Sequence, residues 1–180
     1  MSTVKVSRVT SRPLGQELEQ IFRQHYQLVY RTACRVTGSP EDAEDVLQTI
    51  FLRLLRCEFP PNLQKNPKAY LYRAAVNLSL DMIRLRKRHE VAADAERLAA
   101  YAQVSDSRPE EELHERLLEA IAELKPGAAE ILILRYVHNY SDADIAKLLG
   151  TTRGTVAVSL FRSRARLKKI IRASLGEKSS

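Results

Sequence analysis

The feature that most constrains this chain is the spacing of its apolar residues, which recur at helical intervals through most of its length. Such runs extend from Glu17 to Thr37, from Pro40 to the residues before Phe59, and from about Lys68 to Arg88. The pattern returns at Glu111 and continues almost to the end, and we find neither a βαβ pattern nor an internal repeat. The chain is therefore predicted to be all-α.

Proline, glycine and small polar residues separate the first three helices. Gly38 ends the first helix, Ser39 can cap the second, and Pro40 suits a first helical position. A loop is predicted over residues 61–66, and Pro67 then opens the third helix. Three helices with short connections predict a compact bundle.

The C-terminal part has the local signals of a helix-turn-helix. Ser141 begins one helix in the manner of a capping box, and Gly150 permits a tight turn. Thr151 or Thr152 caps the next helix, which turns Val156 and Leu160 inward. A short helix, a glycine-containing turn and a second helix with a basic end are typical of DNA-binding proteins, with a plain helical hairpin as the alternative.

These signals divide the chain into five segments. They are a disordered tail (1–15), a helical bundle (16–89), an acidic linker (90–110), a helix-turn-helix domain (111–174) and a second tail (175–180). The fold class is thus two helical domains joined by a flexible linker.

The net charge of +7 is unevenly distributed. Residues 151–180 hold eight Lys or Arg and one Glu, whereas residues 90–123 hold ten acidic and three basic side chains. A second basic block, RLRKR, spans Arg84 to Arg88. The alternation predicts two cationic surfaces joined by an anionic connector; ordinary solvated helix faces are the alternative.

Several classes of protein are disfavoured by the sequence. No apolar run is long enough to span a membrane and the N-terminus lacks a signal-peptide core, so we expect a cytoplasmic protein. Cys34 and Cys57 lack metal-ligand spacing, and the four histidines are scattered, so no metal site is predicted. Neither a phosphate-cradling glycine loop nor a nucleophile–base pair is recognisable, so we expect no enzyme, no cofactor and no small-molecule substrate.

Two long segments resemble the extracytoplasmic-function (ECF) group of bacterial sigma-70 factors. LVYRTACRVTGSPEDAEDVLQTIFLRLLR followed by NPKAYLYRAAVNLSLDMIRLRKR is similar to sigma region 2, and the segment from LLEAIAELKPG to RSRARLKK is similar to region 4. Together they cover about 120 of the 180 residues. The resemblance implies a dissociable specificity subunit of RNA polymerase. Region 2 would dock on the β′ clamp helices and open the −10 element, and region 4 would sit on the β flap and bind the −35 element.

The second helix carries an acidic and polar face that suits Arg-rich partner helices better than DNA. The resemblance implies that Asp42, Asp45 and Gln48 contact the polymerase core. Thr49 stands where the family often has Glu, a departure that removes the carboxylate of one expected ion pair. A solvated helix start, favoured by the helix dipole, is the alternative.

Strand separation needs cations for phosphates and flat or polar groups for unstacked bases. Tyr72 falls on the apolar stripe and is expected in the core. Tyr70 stands where the family frequently has Trp, and the loop Pro61 to Asn66 corresponds to its specificity loop, although its amides would suit any turn. The implied −10 contacts are Asn62, Gln64, Lys65, Asn66, Tyr70, Arg73, Asn77, Arg84 and Arg88.

The predicted recognition helix departs from the family at its centre. Ala157, Val158 and Ser159 replace the usual basic residue, Ser and Arg. Small side chains cannot bond a base bidentately but can touch a thymine methyl, so affinity should depend largely on phosphates and base preference should be shifted or weakened. The implied −35 contacts are Thr152, Arg153, Thr155, Ala157, Phe161, Arg162 and Arg164.

A helix-turn-helix repressor or activator that acts without being a polymerase subunit is the main alternative, and a purely structural adaptor is another. Residues 111–172 fit a repressor equally well, so the discriminating segment is 40–88, with its acidic helix followed by a basic one. The expected partners are core RNA polymerase, promoter DNA and an anti-sigma factor. The last is implied by the family resemblance alone.

Overall fold

The computed structural model describes residues 14–56, 59–97 and 109–174, and the regular elements within these ranges are all helical. The predicted tails and linker therefore lie largely outside the described residues, as does Cys57. The helices are α1 Leu14–Thr37, α2 Pro40–Arg56, α3 Pro61–Lys65, α4 Pro67–Arg97, α5 Pro109–Ala122, α6 Pro126–Leu132, α7 Asp142–Leu149 and α8 Arg153–Ser174. A π-helical turn, Ile133–Val137, follows α6 directly. The all-α prediction is confirmed.

Each of the helices α2 to α6 begins with a proline. Proline has no N–H to leave unpaired there, and its fixed φ already suits the first turn. Ser39 adds a side-chain cap to α2, accepting a hydrogen bond from the Asp42 N–H at 3.1 Å. The predicted start of the second helix is confirmed.

Helices α1 to α4 form the N-terminal bundle, in which α1 packs against both α2 and α4. Its core is apolar and continuous along the three long helices, with Val29, Val46, Ile50, Leu63 and Leu71 all buried. Leu63 is fully buried and holds the short helix α3 against the bundle. The predicted bundle is therefore present.

Helices α5 to α8, with the π-helical turn, form the C-terminal unit. Its core includes Leu132, Ile133, Ile145, Val156 and Leu160. The α7 and α8 helices meet across Gly150, whose φ of 68° is the left-handed conformation that a tight turn requires. This pair is the predicted helix-turn-helix.

Helix α4 has two apolar faces, which the sequence reading had merged into one stripe. Leu71 and Ala75 face the N-terminal bundle. Tyr72, Val76 and Leu80 instead join the core of the C-terminal unit. Tyr72 is buried as expected, but a stripe at helical spacing identifies a buried face without identifying the element that covers it.

Three helix boundaries also differ from the sequence expectation. Residues 61–65 form α3 where a loop was predicted, since Pro60 accepts a hydrogen bond from the Leu63 N–H at 2.9 Å and Leu63 is buried. Helix α4 continues to Arg97 instead of ending near Arg88. The dense apolar run AAEILILRYVHN predicts an even helix that ends at Asn139, whereas the structure changes to π geometry at Ile133.

Candidate nucleic-acid interface

Helix α8, the predicted recognition helix, is positioned by two side-chain caps and by Gly150. Ser141 accepts a hydrogen bond from the Asp144 N–H at 3.1 Å and so starts α7. Of the two threonines considered as the cap of α8, Thr152 is used: its Oγ1 accepts from the Thr155 N–H at 3.1 Å. The Thr152 and Thr155 hydroxyls also lie 2.9 Å apart, so both predicted contacts already help to hold the helix start.

One face of α8 is buried and the other is open. Val156 and Leu160 pack into the C-terminal unit as predicted, followed by Ser163 and Leu167. Phe161 is 75% exposed and Val158 is 48% exposed, which is unusual for large apolar side chains. All seven predicted −35 residues lie on exposed parts of this helix and its cap: Thr152, Arg153, Thr155, Ala157, Phe161, Arg162 and Arg164.

Arg164 is held by a residue that the sequence reading did not single out. Its Nε donates to the Tyr136 hydroxyl at 2.5 Å, and its guanidinium lies 5.5 Å from the centre of that ring. Tyr136 belongs to the π-helical turn and is itself exposed. Tyr136, which lies outside α8, therefore orients the Arg164 side chain.

The predicted −10 residues on α3 are accessible. Asn62, Gln64 and Lys65 are all exposed on this short helix. Asn66 follows it and caps α4, accepting a hydrogen bond from the Ala69 N–H at 3.0 Å. These polar side chains therefore stand on a helix anchored by Leu63, and not on the loop that was expected.

The predicted −10 residues on α4 mostly face the C-terminal unit. Tyr70 is half-buried against the N-terminal core, and Arg88 is exposed. Arg73 donates from Nη2 to the Leu149 carbonyl oxygen at 2.9 Å. Arg84 donates from Nε to the Ala122 carbonyl oxygen at 2.7 Å. Candidate DNA contacts are thus engaged within the protein.

A buried carboxylate lies at the centre of this contact. Glu130 on α6 accepts a hydrogen bond from Asn77 Nδ2 at 3.2 Å, and Arg73 Nε lies 3.4 Å from its other oxygen. Desolvation by burial raises the pKa of Glu130, although Asn77 and Arg73 act in the opposite direction. The hydroxyl of Tyr72 donates to the Glu130 carbonyl oxygen at 3.3 Å.

Lys87 forms a second ionic contact between the two units. Its Nζ lies 3.1 Å from a carboxylate oxygen of Glu119 and 3.3 Å from one of Glu123. Desolvation lowers the pKa of Lys87, but the hydrogen bonds and charges of the two glutamates together raise it above its ordinary value. The ammonium group is therefore stabilised in this packed arrangement.

The predicted polymerase-docking side chains on α2 are not equivalent. Asp45 and Gln48 are exposed. Asp42 is half-buried and forms an ion pair with Arg86 of α4 at 2.5 Å. The open part of the acidic face is therefore centred on Asp45 and Gln48.

Comparison with known proteins agrees with this arrangement of two units. The chain matches the Sigma-70 region 2 family model over residues 21–89 and the Sigma-70, region 4 model over residues 114–167. The RNA polymerase sigma-E factor of Streptomyces avermitilis is 31% identical over 153 residues, covering 85% of this chain and 84% of that protein. This chain is an ECF sigma factor of the sigma-70 family.

Other relatives of this sigma factor include the ECF RNA polymerase sigma factor SigE of Mycolicibacterium smegmatis. It is 33% identical over 159 residues, which cover 83% of this chain and 60% of the relative. Among solved structures, the sigma factor RpoE of Bartonella quintana, in complex with the anti-sigma factor NepR, covers 87% of this chain and 98% of its own at 20% identity, with a TM-score of 0.47. The family assignment rests on the sequence relatives and the two regional matches.

Three residues whose contacts the structure describes escaped the sequence reading. They are Arg35, which lies 3.2 Å from His138 Nδ1, Tyr136, which holds Arg164, and Glu130, which meets Arg73 and Asn77. Only Glu130 had a readable signal, because a charged residue inside the apolar run AAEILIL needs a partner once it is buried. Among the described residues, no group of three or more His, Cys, Asp or Glu could hold a metal ion, and no helix is long and apolar enough to span a membrane.

Proposed function

We propose that this sigma factor binds core RNA polymerase through the exposed acidic face of α2 and directs initiation by contacting promoter DNA at two separated elements. The −35 element would be bound by α8 and the −10 element by α3 and α4. The proposal rests on two exposed surfaces of opposite charge on one chain. One is the acidic face of α2 at Asp45, and the other is the cationic face of α8 around Arg153 and Arg162. Polymerase helices rich in Arg suit the first surface, and phosphates suit the second.

The exposed residues of α8 support an affinity for DNA that comes mainly from phosphate contacts, with few contacts to the bases. Arg153 and Arg162 can reach phosphates or guanine, whereas Ala157 and Val158 offer only small apolar contacts. Phe161 is positioned to touch a thymine methyl or a sugar. We expect promoter melting to draw on binding energy, with no catalytic role for this chain.

The partners follow from the same reading. Core polymerase and promoter DNA are the two required partners, and the place of action is the cytoplasm, where transcription occurs. An anti-sigma factor completes the proposal on the family resemblance alone. A helix-turn-helix repressor needs neither the exposed face of α2 nor a polymerase.

In-vitro transcription with purified core polymerase and a genomic fragment library tests the proposal. We expect defined start sites that depend on the sigma factor, and co-elution of sigma with core. The absence of both start sites and co-elution would overturn the proposal. Tight binding of a duplex operator by the free chain, without polymerase, would instead favour the repressor.

A further inference from the structure

Arg164 and Tyr136 form a contact that leaves the positive charge of the arginine uncompensated. The Arg164 Nε donates to the Tyr136 hydroxyl at 2.5 Å, and the guanidinium carbon lies 5.5 Å from the centre of the ring. Within the part of the chain that the structure describes, no carboxylate lies within ion-pairing distance of Arg164. A neutral partner of this kind fixes the direction of the guanidinium without cancelling its charge.

The π-helical turn holds Tyr136 against α8. The His138 N–H donates to the Ile133 carbonyl oxygen at 3.0 Å, which is the five-residue hydrogen bond of π geometry and makes a wider turn than an α-helix. Ile133 and Leu134 are fully buried in this turn, whereas Tyr136 is 52% exposed. The buried pair anchors the turn, so the exposed ring stands on a fixed part of the backbone.

The Tyr136 hydroxyl has a proton left to donate. A phenolic hydroxyl can accept one hydrogen bond and donate another. It accepts from Arg164 Nε, and no acceptor for its own proton is found among the described residues. The two Nη groups of Arg164 also have no partner in the described ranges. The pair therefore presents only free N–H and O–H donors, which suits an anion such as a phosphate group.

The position of Arg164 along α8 indicates which part of a DNA duplex it would meet. It lies on the same face of the helix as Ala157 and Phe161, about two turns and one turn further on. At the rise of an α-helix, Arg164 is about 16 Å beyond Arg153 at the helix start. The major groove is only about 12 Å wide. A helix whose first turns enter the groove therefore brings Arg164 to the phosphates at its edge.

We infer that Arg164 and Tyr136 form one phosphate-binding unit at the edge of the −35 duplex. Tyr136 orients the guanidinium and donates its own proton to the same phosphate. The inference rests on the proposed function, because it assumes that α8 binds promoter DNA. Since the guanidinium is oriented before DNA arrives, less side-chain freedom is lost on binding. Phosphates carry no sequence information, so the unit raises affinity without changing base preference.

Tyr136→Phe tests the unit directly, because it removes the hydroxyl and keeps the ring beside Arg164. The probe is the −35 duplex that wild-type sigma and core polymerase select from a randomised pool, and each full-length variant is titrated together with core. We expect the Kd of Tyr136→Phe to rise about three- to tenfold, the size of one hydrogen bond to a charged partner. The selected sequence and the thermal unfolding midpoint should be unchanged.

Tyr26→Phe is the matched control. It removes another exposed tyrosine hydroxyl, which accepts a hydrogen bond from Gln27 Nε2 at 3.2 Å on α1. We expect this variant to bind the duplex as wild type does. An unchanged Kd for Tyr136→Phe, or an equal rise for Tyr26→Phe, would overturn the inference.

Variants of Arg164 separate orientation from charge. Arg164→Lys keeps the charge but has no guanidinium fork, so it should lose affinity like Tyr136→Phe with an unchanged log–log salt slope. Arg164→Gln removes the charge and should make that slope shallower by about 0.9. The double variant Tyr136→Phe with Arg164→Lys should lose far less affinity than the product of the two single losses. Losses that multiply would indicate two independent contacts and would contradict a single unit.

The selection step separates failure of this inference from failure of the proposed function. If wild-type sigma and core recover a preferred duplex and Tyr136→Phe binds it equally well, the function stands and the phosphate-binding unit falls. If wild-type sigma neither associates with core nor recovers any duplex, the proposed function itself fails.

Discussion

The ring of His138 stands edge-on against the ring of Tyr72, with centroids 5.8 Å apart and an angle of 76° between the planes. Desolvation by burial and the nearby charge of Arg35 lower the pKa of His138 to about 4. Arg35 Nη1 lies 3.2 Å from His138 Nδ1, and because a guanidinium only donates, Nδ1 is the acceptor and the ring proton is on Nε2. His138 is therefore neutral while the two units are packed.

We expect the packed state to lose stability as the pH falls from 6.5 toward about 4. The unfolded chain takes up a proton on His138 at the ordinary pKa, whereas the folded chain resists protonation. The contribution of neutral His138 to the free energy of unfolding is therefore complete above pH 6.5 and is lost as the pH falls toward about 4. Thermal unfolding midpoints of wild type and His138→Asn across this range measure the effect. The wild-type midpoint should decrease more steeply.

The comparison of two proteins is needed because other charges lie nearby. Lys68, Asp144 and Lys147 line the same groove as His138. Glu130, whose pKa is raised by burial, changes stability in the opposite sense as the pH falls. These groups are present in both proteins and cancel in the difference, so parallel pH profiles would refute the role assigned to His138.

Two glycines near the recognition helix should respond oppositely to alanine. Gly150 has a φ of 68°, and a Cβ added there would meet no atom within 4 Å, so Gly150→Ala should destabilise the fold by about 1 kcal/mol through backbone strain alone. Gly154 lies in the first turn of α8, where an added Cβ would make ordinary contact, so Gly154→Ala should be neutral or stabilise by up to about 0.5 kcal/mol. Urea denaturation distinguishes them, and equal effects would be unexpected.

Neighbouring acids on α2 should differ in their effect on polymerase binding. Asp45→Lys should weaken association with core by about tenfold or more, because an exposed carboxylate is replaced by a repelling charge. Asp42→Asn should have a smaller effect on association and should cost at most about 1 kcal/mol of stability, since Asp42 is paired with Arg86. Titration of labelled core measures association. A larger loss of affinity for Asp42→Asn than for Asp45→Lys would indicate that the docking site is centred on Asp42.

Ala157 tests whether α8 reads bases. Ala157→Arg should change the preferred −35 sequence and steepen the log–log salt slope by about 0.9. Ala165→Arg, on an exposed part of the same helix, adds the same charge and should change affinity without changing sequence preference. Selection from a randomised duplex bound by sigma and core gives both readouts. Identical preferences for Ala157→Arg and wild type would count against base contact at this position.

Local features of this fold were largely predictable from sequence. Ser39, Pro40, Ser141 and Gly150 act through atoms a few residues away, so their roles follow from spacing and side-chain chemistry. The exposed −35 residues followed from the same reasoning, because Val156 and Leu160 fix which face of α8 is buried. Whether those exposed residues contact DNA is still a prediction.

Contacts between the two units were not predictable in the same way. Tyr72, Val76 and Leu80 have the same spacing whether they close a bundle or meet another unit. Asn66 and Leu148 are 82 positions apart, and nothing local in either identifies the other. The acceptor at Leu149 is its main-chain carbonyl oxygen, which every residue has. Sequence patterns therefore do not reveal which carbonyl is used.

The use of main-chain acceptors has an evolutionary consequence. A carbonyl oxygen at a helix end is present whichever amino acid occupies that position, so substitution at Ala122 or Leu149 leaves the acceptor in place. Only a shift of the helix terminus removes it. Homologues that have diverged widely at these positions can therefore retain the same contacts between the two units, and insertions or deletions near the ends of α5 and α7 are the changes that would remove them.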